Sequence, residues 1–333
     1  MLAHDFAFLF ECLFGMIAPY QRPAPTMQTA YISHPLCLKH DMGAHHPESP
    51  ARIHAIEDQL IAAGLMDYLQ RHDAPAATRE QLLRVHDEDY LVSIESSVPP
   101  QGIVQLDGDT ALNPFSYQAA LRAAGAVVLG VDLVMSGQAE NVFCNVRPPG
   151  HHAERARAMG FCIFNNVAAG AAHALAQHGL QRVAIADFDV HHGNGTENIF
   201  HDEPRVMLCS TFQHPFYPYC GADSGNDHII NVPLAARSGG EEFRAAVMQY
   251  WLPALERFQP ELLLISAGFD AHRDDDMAML NLTEPDYAWV TEVLKRVAEK
   301  YSRGRIVSAL EGGYELHALA RSALAHIKVL SGL

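Results

Sequence analysis

Two short polar segments, each following an apolar run, carry residue types that could hold a metal ion. The segment DFDVHHGNGT spaces Asp187, Asp189 and His191 two residues apart, so the three would share one face if the preceding strand continued. The segment SAGFDAH adds the carboxylate of Asp270 after another apolar run. Asp189, His191 and Asp270 would supply two carboxylates and one imidazole, and three protein ligands with an open position are typical of catalytic zinc. The pattern therefore predicts a catalytic metal centre.

Two further segments could supply proton transfer and polarise a carbonyl group. RPPGHHA carries the adjacent pair His151 and His152 behind a stiff Pro-Pro-Gly bend, and histidine is the usual general acid or base near neutral pH. EGGY brings Tyr314 to the end of another apolar run, where its phenol could donate a hydrogen bond to a polarised oxygen. The three consecutive carboxylates after SAGFDAH are interpreted as solvated loop residues: Asp274, Asp275 and Asp276.

These segments must be positioned by the apolar runs that precede them. Continuous apolar runs without alternation predict parallel strands buried on both faces. Helical patterns lie between the runs, and this alternation predicts an α/β fold with helices on both sides of the sheet. Ligands bind beyond the carboxyl ends of such strands, where all four polar segments lie. The predicted strands are 29–33, 141–146, 182–188, 206–212, 261–267 and 305–310, and the predicted helices are 50–63, 116–136, 166–178, 240–257, 285–300 and 315–330.

Composition and charge exclude several classes of protein. Of the 333 residues, 49% are hydrophobic and 19% are charged, which excludes a disordered chain. The net charge of −16 argues against a nucleic-acid partner, because binding phosphates needs clustered positive charge. Six cysteines without a C-x-x-C pair predict free thiols and a cytoplasmic location.

The N-terminal segment differs from the rest of the chain. Residues 6–18 are strongly apolar, but this stretch is too short to span a bilayer and lacks the basic start of a signal peptide. We expect residues 1–26 to be an appendage and residues 27–333 to form one catalytic domain. We interpret no other stretch as a membrane span, so we expect no membrane partner.

The motifs RPPGHHA, GFCIFNN (160–166), DFDVHHGNGT, SAGFDAH and EGGY occur here in the order found in one enzyme family. Over roughly residues 28–333, the sequence resembles the zinc-dependent histone deacetylase family. It is most similar to the class II-type bacterial members, which include histone deacetylase-like and acetylpolyamine amidohydrolases. The resemblance implies a single-domain arginase/deacetylase fold, an α/β fold in which helices flank a central eight-stranded parallel sheet.

The resemblance also implies roles for individual residues. The Zn²⁺ ligands would be Asp189, His191 and Asp270. The catalytic group would comprise the dyad His151 and His152, Asp187 holding His151, and Tyr314 facing the carbonyl. Substrate would meet Gly160 through its carbonyl and Phe161 and Tyr217 as tunnel walls. Further positions matched to the family are Arg52 near the inner end of the pocket, Asn194 beside His152, and Asp187, Ser210 and Thr211 at a structural potassium ion.

The activity that follows from the resemblance is hydrolysis of an acyl amide. The expected substrate is an acylated lysine in a protein or peptide, and an acetylated polyamine or another small amide is the main alternative. Many relatives have Phe where Tyr217 stands, so the preferred acyl group stays open. A two-metal ureohydrolase, suggested by the D-A-H sequence at 270–272, and an inactive acyl-amine binding module are weaker alternatives. The oligomeric state also stays open.

Overall fold

A parallel sheet of eight strands forms the centre of the protein. The structure is a computed structural model that describes residues 28–333, so the predicted appendage at 1–26 lies outside the described residues. The strands are β1 (Ala30–Ser33), β2 (Gln70–Asp73), β3 (Val104–Gln105), β4 (Ala111–Leu112), β5 (Asn141–Cys144), β6 (Val183–Asp187), β7 (Val206–Gln213), β8 (Ile229–Leu234), β9 (Leu262–Ala267) and β10 (Ile306–Leu310). The order in the sheet is β2-β1-β5-β10-β9-β6-β7-β8, while β3 and β4 form a separate antiparallel pair.

All pairings in the large sheet are parallel, as the continuous apolar runs predict. Every residue of the central strands β6 and β9 is buried, because helices cover both faces. The six predicted strands are present, and the α/β fold with an eight-stranded sheet is confirmed. The sequence did not indicate the small pair β3 and β4, and the two strands of the large sheet that it did not indicate, β2 and β8, are the edge strands. An edge strand is only partly covered, so it needs no continuous apolar run.

Helices pack against both faces of the sheet. They are α1 (Ala51–Ala62), α2 (Arg79–Leu83), α3 (Glu88–Ser96), α4 (Ser116–Ser136), α5 (Asn166–His178), α6 (Asn194–Phe200), α7 (Gly240–Ala246), α8 (Leu252–Phe258), α9 (Glu284–Tyr301) and α10 (Leu316–Ser331). One hydrophobic layer includes α4 and α5, through side chains such as Val127 and Val167. The other includes α1 and α9, through side chains such as Ile56 and Leu294.

Two helices show how packing and proline shape the elements. By length and composition, α4 could cross a membrane, but 67% of its most apolar window is buried inside the protein, so it serves as a core helix. The predicted helix 240–257 is α7 and α8 joined by a π-helical turn, Val247–Trp251. Pro253 follows this turn. Because proline removes an amide donor and clashes with the preceding turn, a wider turn is a usual way to accommodate it.

Candidate active site

The four polar segments identified from the sequence meet at one edge of the sheet. They follow β5, β6, β9 and β10, which lie next to one another in the order β5-β10-β9-β6. Because all four strands are parallel, their carboxyl ends reach the same edge. The fold therefore brings together residues that are up to 163 positions apart in the chain, from His151 to Tyr314.

The three predicted metal ligands converge at this edge. One ligand atom from each of Asp189, His191 and Asp270 lies within 4.8 Å of the other two. His191 Nδ1 is 3.0 Å from Asp189 Oδ1 and 3.3 Å from Asp270 Oδ2. Atoms that bind one tetrahedral ion at about 2.0 Å are about 3.3 Å apart. All three side chains are buried, so the spacing fits a single small ion.

The surroundings of these residues also fit a cation. Asp270 Oδ2 is buried and accepts no hydrogen bond from any residue in the range 28–333, although a buried polar atom normally has a partner. Burial and the nearby Asp189 carboxylate raise the pKa of Asp270 to about 6. A Cβ atom at Gly312 would overlap the carboxylate oxygens of both aspartates. The glycine therefore lets the backbone approach the carboxylates, and the unpaired oxygen is available to a divalent ion such as Zn²⁺.

The two adjacent histidines lie beside the metal ligands, and their pKa values are shifted in opposite directions. His151 Nδ1 is 3.0 Å from Asp187 Oδ2, and its Nε2 is 3.7 Å from Asp189 Oδ2. Burial alone would lower the pKa of His151, but the carboxylates Asp189 and Asp187 outweigh it and hold that pKa well above its usual value. Burial and the neighbouring imidazoles of His151 and His191 hold the pKa of His152 well below its usual value.

Asn194 fixes the tautomer of His152. Its Nδ2 donates to Glu154 Oε1 at 2.8 Å, so its Oδ1 is the atom that faces His152 Nδ1, at 2.8 Å. Because Oδ1 can only accept, the proton of the neutral imidazole lies on Nδ1. The lone pair is then on Nε2, where it can take a proton from another molecule.

A narrow cavity of about 220 Å³ leads to these residues. We call it the active-site cavity, and its lining is Asp109, His152, Gly160, Phe161, His191, Phe216, Tyr217, Met277 and Tyr314. The ring of Phe161 packs edge-on against His46 and Tyr314. Phe161 has a φ of +67°, a left-handed conformation that costs a bulky residue energy. The sequence predictions for Gly160, Phe161 and Tyr217 thus fall on the wall of one cavity.

Tyr217 contributes an aromatic ring to the wall of the active-site cavity. Its ring packs edge-on against His152 and His191, at centroid distances of 5.3 and 6.0 Å. Its hydroxyl is buried and has no hydrogen-bond partner within the described part of the chain. The ring of Tyr217 therefore forms the part of the wall that adjoins His152 and His191.

Tyr314 is held from the inner side by Arg52. The Arg52 guanidinium lies 4.9 Å from the centre of the Tyr314 ring and donates to the carbonyl oxygens of Gly313, at 2.6 Å, and Glu311. Arg52 is fully buried and paired with Glu48 at 3.1 Å. Burial raises the pKa of Tyr314 well above its usual value, so its phenol keeps the proton that it would donate.

Sequence reasoning missed two buried carboxylates that accept backbone amide hydrogens in the active site. Glu311, the first residue of EGGY, accepts the amide hydrogens of Gly150 (2.6 Å) and His151 (3.1 Å); its position directly after a strand was the available signal. Asp275 was interpreted as solvated, and this was wrong. Its side chain is buried and accepts the amide hydrogen of Tyr314 at 2.6 Å. Three consecutive aspartates look alike in a sequence, so nothing there singled out the middle one.

The positions matched to a potassium site lie on the paired strands β6 and β7. Asp187 on β6 is the register partner of Ser210 on β7, and Thr211 follows it. All three side chains are buried. Burial raises the pKa of Asp187.

A second cluster of similar composition lies on the helices. His173 Nε2 and His178 Nε2 are 2.8 and 2.7 Å from the same oxygen, Asp132 Oδ1. Arg84 contacts His173 Nδ1 at 3.1 Å, and a guanidinium can only donate. The proton of His173 is therefore on Nε2, where it serves the hydrogen bond to Asp132 and blocks a metal ion.

Comparisons with known protein families and with individual proteins point to the same family. The family model of the histone deacetylase domain, a sequence profile, matches residues 46–330 of this chain. The histone deacetylase-like amidohydrolase of Pseudomonas aeruginosa is 36% identical, covering 92% of this chain and 87% of that protein. The human polyamine deacetylase HDAC10 is also 36% identical, over 86% of this chain and 44% of its own length.

A solved structure extends the similarity to three dimensions. The HD domain of HDA15 superimposes with a TM-score of 0.87 at 34% identity, covering 92% of this chain and 90% of that one. The family match over residues 46–330 includes the strands that precede the metal ligands, the histidine pair and Tyr314. The chain belongs to the histone deacetylase family of hydrolases.

Proposed function

We propose that the protein is a zinc-dependent amidohydrolase that removes acetyl or other acyl groups from acylated lysine side chains. The observation that carries this proposal is the convergence of Asp189, His191 and Asp270 at the inner end of a narrow cavity, with one buried carboxylate oxygen left unpaired by the described residues. Membership in a family of deacetylases supports the reaction class.

Zinc would be held by Asp189, His191 and Asp270. When bound, the ion supplies a Lewis acid that polarises the acyl carbonyl and lowers the pKa of water. The residues around it would do the rest of the chemistry. Because Asn194 directs the His152 lone pair to Nε2, His152 would take the proton of the attacking water and then pass it to the leaving amine.

His151 and Tyr314 would stabilise the charge that develops on the carbonyl oxygen. His151 Nδ1 lies 3.0 Å from Asp187 Oδ2, and this carboxylate would help its imidazole to carry a positive charge beside the reacting groups. The Tyr314 phenol would donate a hydrogen bond to the oxyanion. Donors that are held in place before the reaction are the most effective form of such stabilisation.

The shape of the cavity favours a substrate with an unbranched alkyl chain. The aromatic rings of Phe161 and Tyr217 form its walls, and the Asp109 carboxylate is also part of the lining. A lysine side chain fits such walls, and an acetylated polyamine is the second candidate. The polyamine alternative is favoured by the carboxylate of Asp109, which would attract a second amine, and by the relative named as a polyamine deacetylase.

The two-metal alternative receives less support. His272 belongs to the D-A-H sequence that suggested it, but His272 Nδ1 accepts the amide hydrogen of Asp274 at 3.1 Å. In the described part of the chain, the ligand cluster at this edge consists of three residues and does not include His272. This donor set suits one ion.

Two further expectations remain proposals. The buried oxygens of Asp187, Ser210 and Thr211 support a structural potassium ion. Five cysteines lie in the described residues and all are free thiols, four of them buried. This is consistent with a reducing compartment such as the cytoplasm.

The test is a kinetic panel with zinc-loaded protein. Its substrates are acetyl-lysine peptides, peptides with longer acyl chains, and acetylated polyamines, with free amine as the product measured. We expect the highest kcat/KM with an acyl-lysine peptide, loss of turnover with a chelator, and recovery when zinc is returned. A higher kcat/KM for acetylpolyamines would select the alternative, and no amine release from any substrate would refute the amidohydrolase proposal.

A further inference from the structure

A buried carboxylate holds the backbone of Tyr314, which lines the active-site cavity together with the metal ligand His191. Asp275 lies on the loop after β9, and only 4% of it is exposed. Its Oδ2 accepts the amide hydrogens of Tyr314, at 2.6 Å, and Glu315, at 3.0 Å. Hydrogen bonds to a charged acceptor are stronger than those between neutral groups. One side chain therefore joins the loop that carries Asp270 to the loop that carries Tyr314.

The other oxygen of the same carboxylate acts on the cavity wall. Asp275 Oδ1 accepts the amide hydrogen of Met277 at 3.0 Å, and Met277 lines the active-site cavity. The Asp275 amide itself donates to the His272 carbonyl oxygen at 2.9 Å. All three acceptor contacts of the carboxylate are with backbone amides, so its role is to fix the course of the chain.

The EGGY segment is held by opposite charges from two sides. The Arg52 guanidinium binds the carbonyl oxygens of Glu311 and Gly313, while Asp275 binds the amide hydrogens of Tyr314 and Glu315. Between them, the Gly312 amide donates to Asp189 Oδ2 at 2.8 Å. A cation on the carbonyl groups and an anion on the amides leave the peptide groups around Tyr314 little freedom to rotate.

We propose that Asp275 is a positioning residue that places the Tyr314 phenol against the acyl oxygen, without touching the substrate itself. The inference rests on the proposed amidohydrolase activity. A phenol on a glycine-rich segment would otherwise sample several positions, and a displacement of about 1 Å at a reacting group can cost on the order of 100-fold in rate.

Asparagine at position 275 is the appropriate probe. The carboxylate uses both oxygens as acceptors, whereas an amide side chain offers one oxygen and one NH₂ group. In either orientation, the NH₂ group of Asp275→Asn would face a backbone N–H, so at least one anchor is lost. Asp276→Asn is the matched control, because it makes the same chemical change at the next residue, whose side chain is exposed.

The test is a double-mutant cycle with Tyr314→Phe, using full-length zinc-loaded protein on an acetyl-lysine peptide. Zinc content and melting temperature are measured for each variant. We expect Asp275→Asn to lower kcat about 10- to 100-fold, with KM changed less than about 3-fold and zinc retained. In the Tyr314→Phe background, the same change should cost less than about 2-fold, because no phenol remains to be positioned. Asp276→Asn should keep wild-type kcat.

Two results would overturn the inference: a wild-type kcat in Asp275→Asn, or the same loss of kcat in both backgrounds, which would indicate general structural damage. If Asp275→Asn does not fold, Asp275→Glu takes its place in the cycle, because it keeps the charge and shifts the oxygens by one methylene. Failure of the amidohydrolase proposal would show separately, as no amine release by the unmodified protein.

Discussion

Two clusters of aspartate and histidine lie at different places around the central sheet. The loop cluster, Asp189, His191 and Asp270, lies on loops at the carboxyl ends of the strands. The helical cluster, Asp132, His173 and His178, lies on α4 and α5. The first set brings two carboxylates and one imidazole within reach of a common ion, and the second brings one carboxylate and two imidazoles. Composition and distance alone do not distinguish them.

The hydrogen-bond partners of the two clusters do distinguish them. On the helices, both imidazoles point at one oxygen of Asp132, and Arg84 occupies the far nitrogen of His173. On the loops, Asp270 Oδ2 is buried and accepts no hydrogen bond from residues 28–333, although His191 Nδ1 lies 3.3 Å away. A polar cluster in which every donor and acceptor has a hydrogen-bond partner stabilises the fold. A cluster with an acceptor that lacks a partner is suited to bind a ligand.

The largest expected effect comes from the same substitution made in each cluster. Asp270→Ala should lose its zinc and reduce turnover to background, because two of three ligands cannot hold the ion as tightly. Asp132→Ala should keep one zinc per chain and wild-type kcat. Metal analysis of both purified variants, together with their turnover, tests this. Full zinc occupancy in Asp270→Ala would contradict the ligand assignment, and loss of zinc from Asp132→Ala would reverse the comparison.

A second variant separates ion binding from catalysis at the loop cluster. Tyr314→Phe removes the donor to the oxyanion and leaves the metal ligands untouched. We expect kcat to fall on the order of 100- to 1000-fold, with zinc content unchanged. Turnover near the wild-type value would remove Tyr314 from the proposed mechanism.

The helical cluster should contribute mainly to stability. Asp132→Ala leaves the buried imidazole of His173 without its acceptor, and we expect the free energy of unfolding to fall by about 1 kcal/mol. The expected loss is small because the Asp132 side chain is half exposed, so water already weakens its hydrogen bonds. Urea denaturation of the zinc-loaded protein measures it. An unchanged midpoint would show that the imidazoles find water or another partner at no cost.

The smallest effect is expected from Arg84→Gln. Arg84 pairs with the exposed Glu80, and such pairs contribute about 0.5 kcal/mol or less. Glutamine can accept as well as donate, so His173 would no longer be confined to one tautomer. We still expect one zinc per chain, because Asp132 continues to satisfy both imidazoles. A second bound zinc in a titration would show that Arg84 alone prevents metal binding there.

The comparison also shows what the sequence could predict. Strand-end motifs predicted the loop cluster, because the carboxyl ends of parallel strands meet wherever the strands are neighbours. His173 and His178 gave no such signal, since their partner Asp132 lies on another helix about 40 residues earlier. Edge strands β2 and β8 were missed because partial exposure removes the apolar pattern. Asp275 was misread because its burial depends on where the EGGY segment packs, which no local pattern encodes.

The backbone of Phe161, on the wall of the active-site cavity, adopts a conformation that suits glycine better than a bulky residue. Its left-handed φ of +67° costs a bulky residue roughly 1–2 kcal/mol, and glycine would adopt it without that cost. Replacing Phe161 by glycine would therefore return part of the energy lost with the aromatic packing. Position 161 is thus a place where a wider entrance could evolve, or be engineered for bulkier acyl groups, at a modest loss of stability.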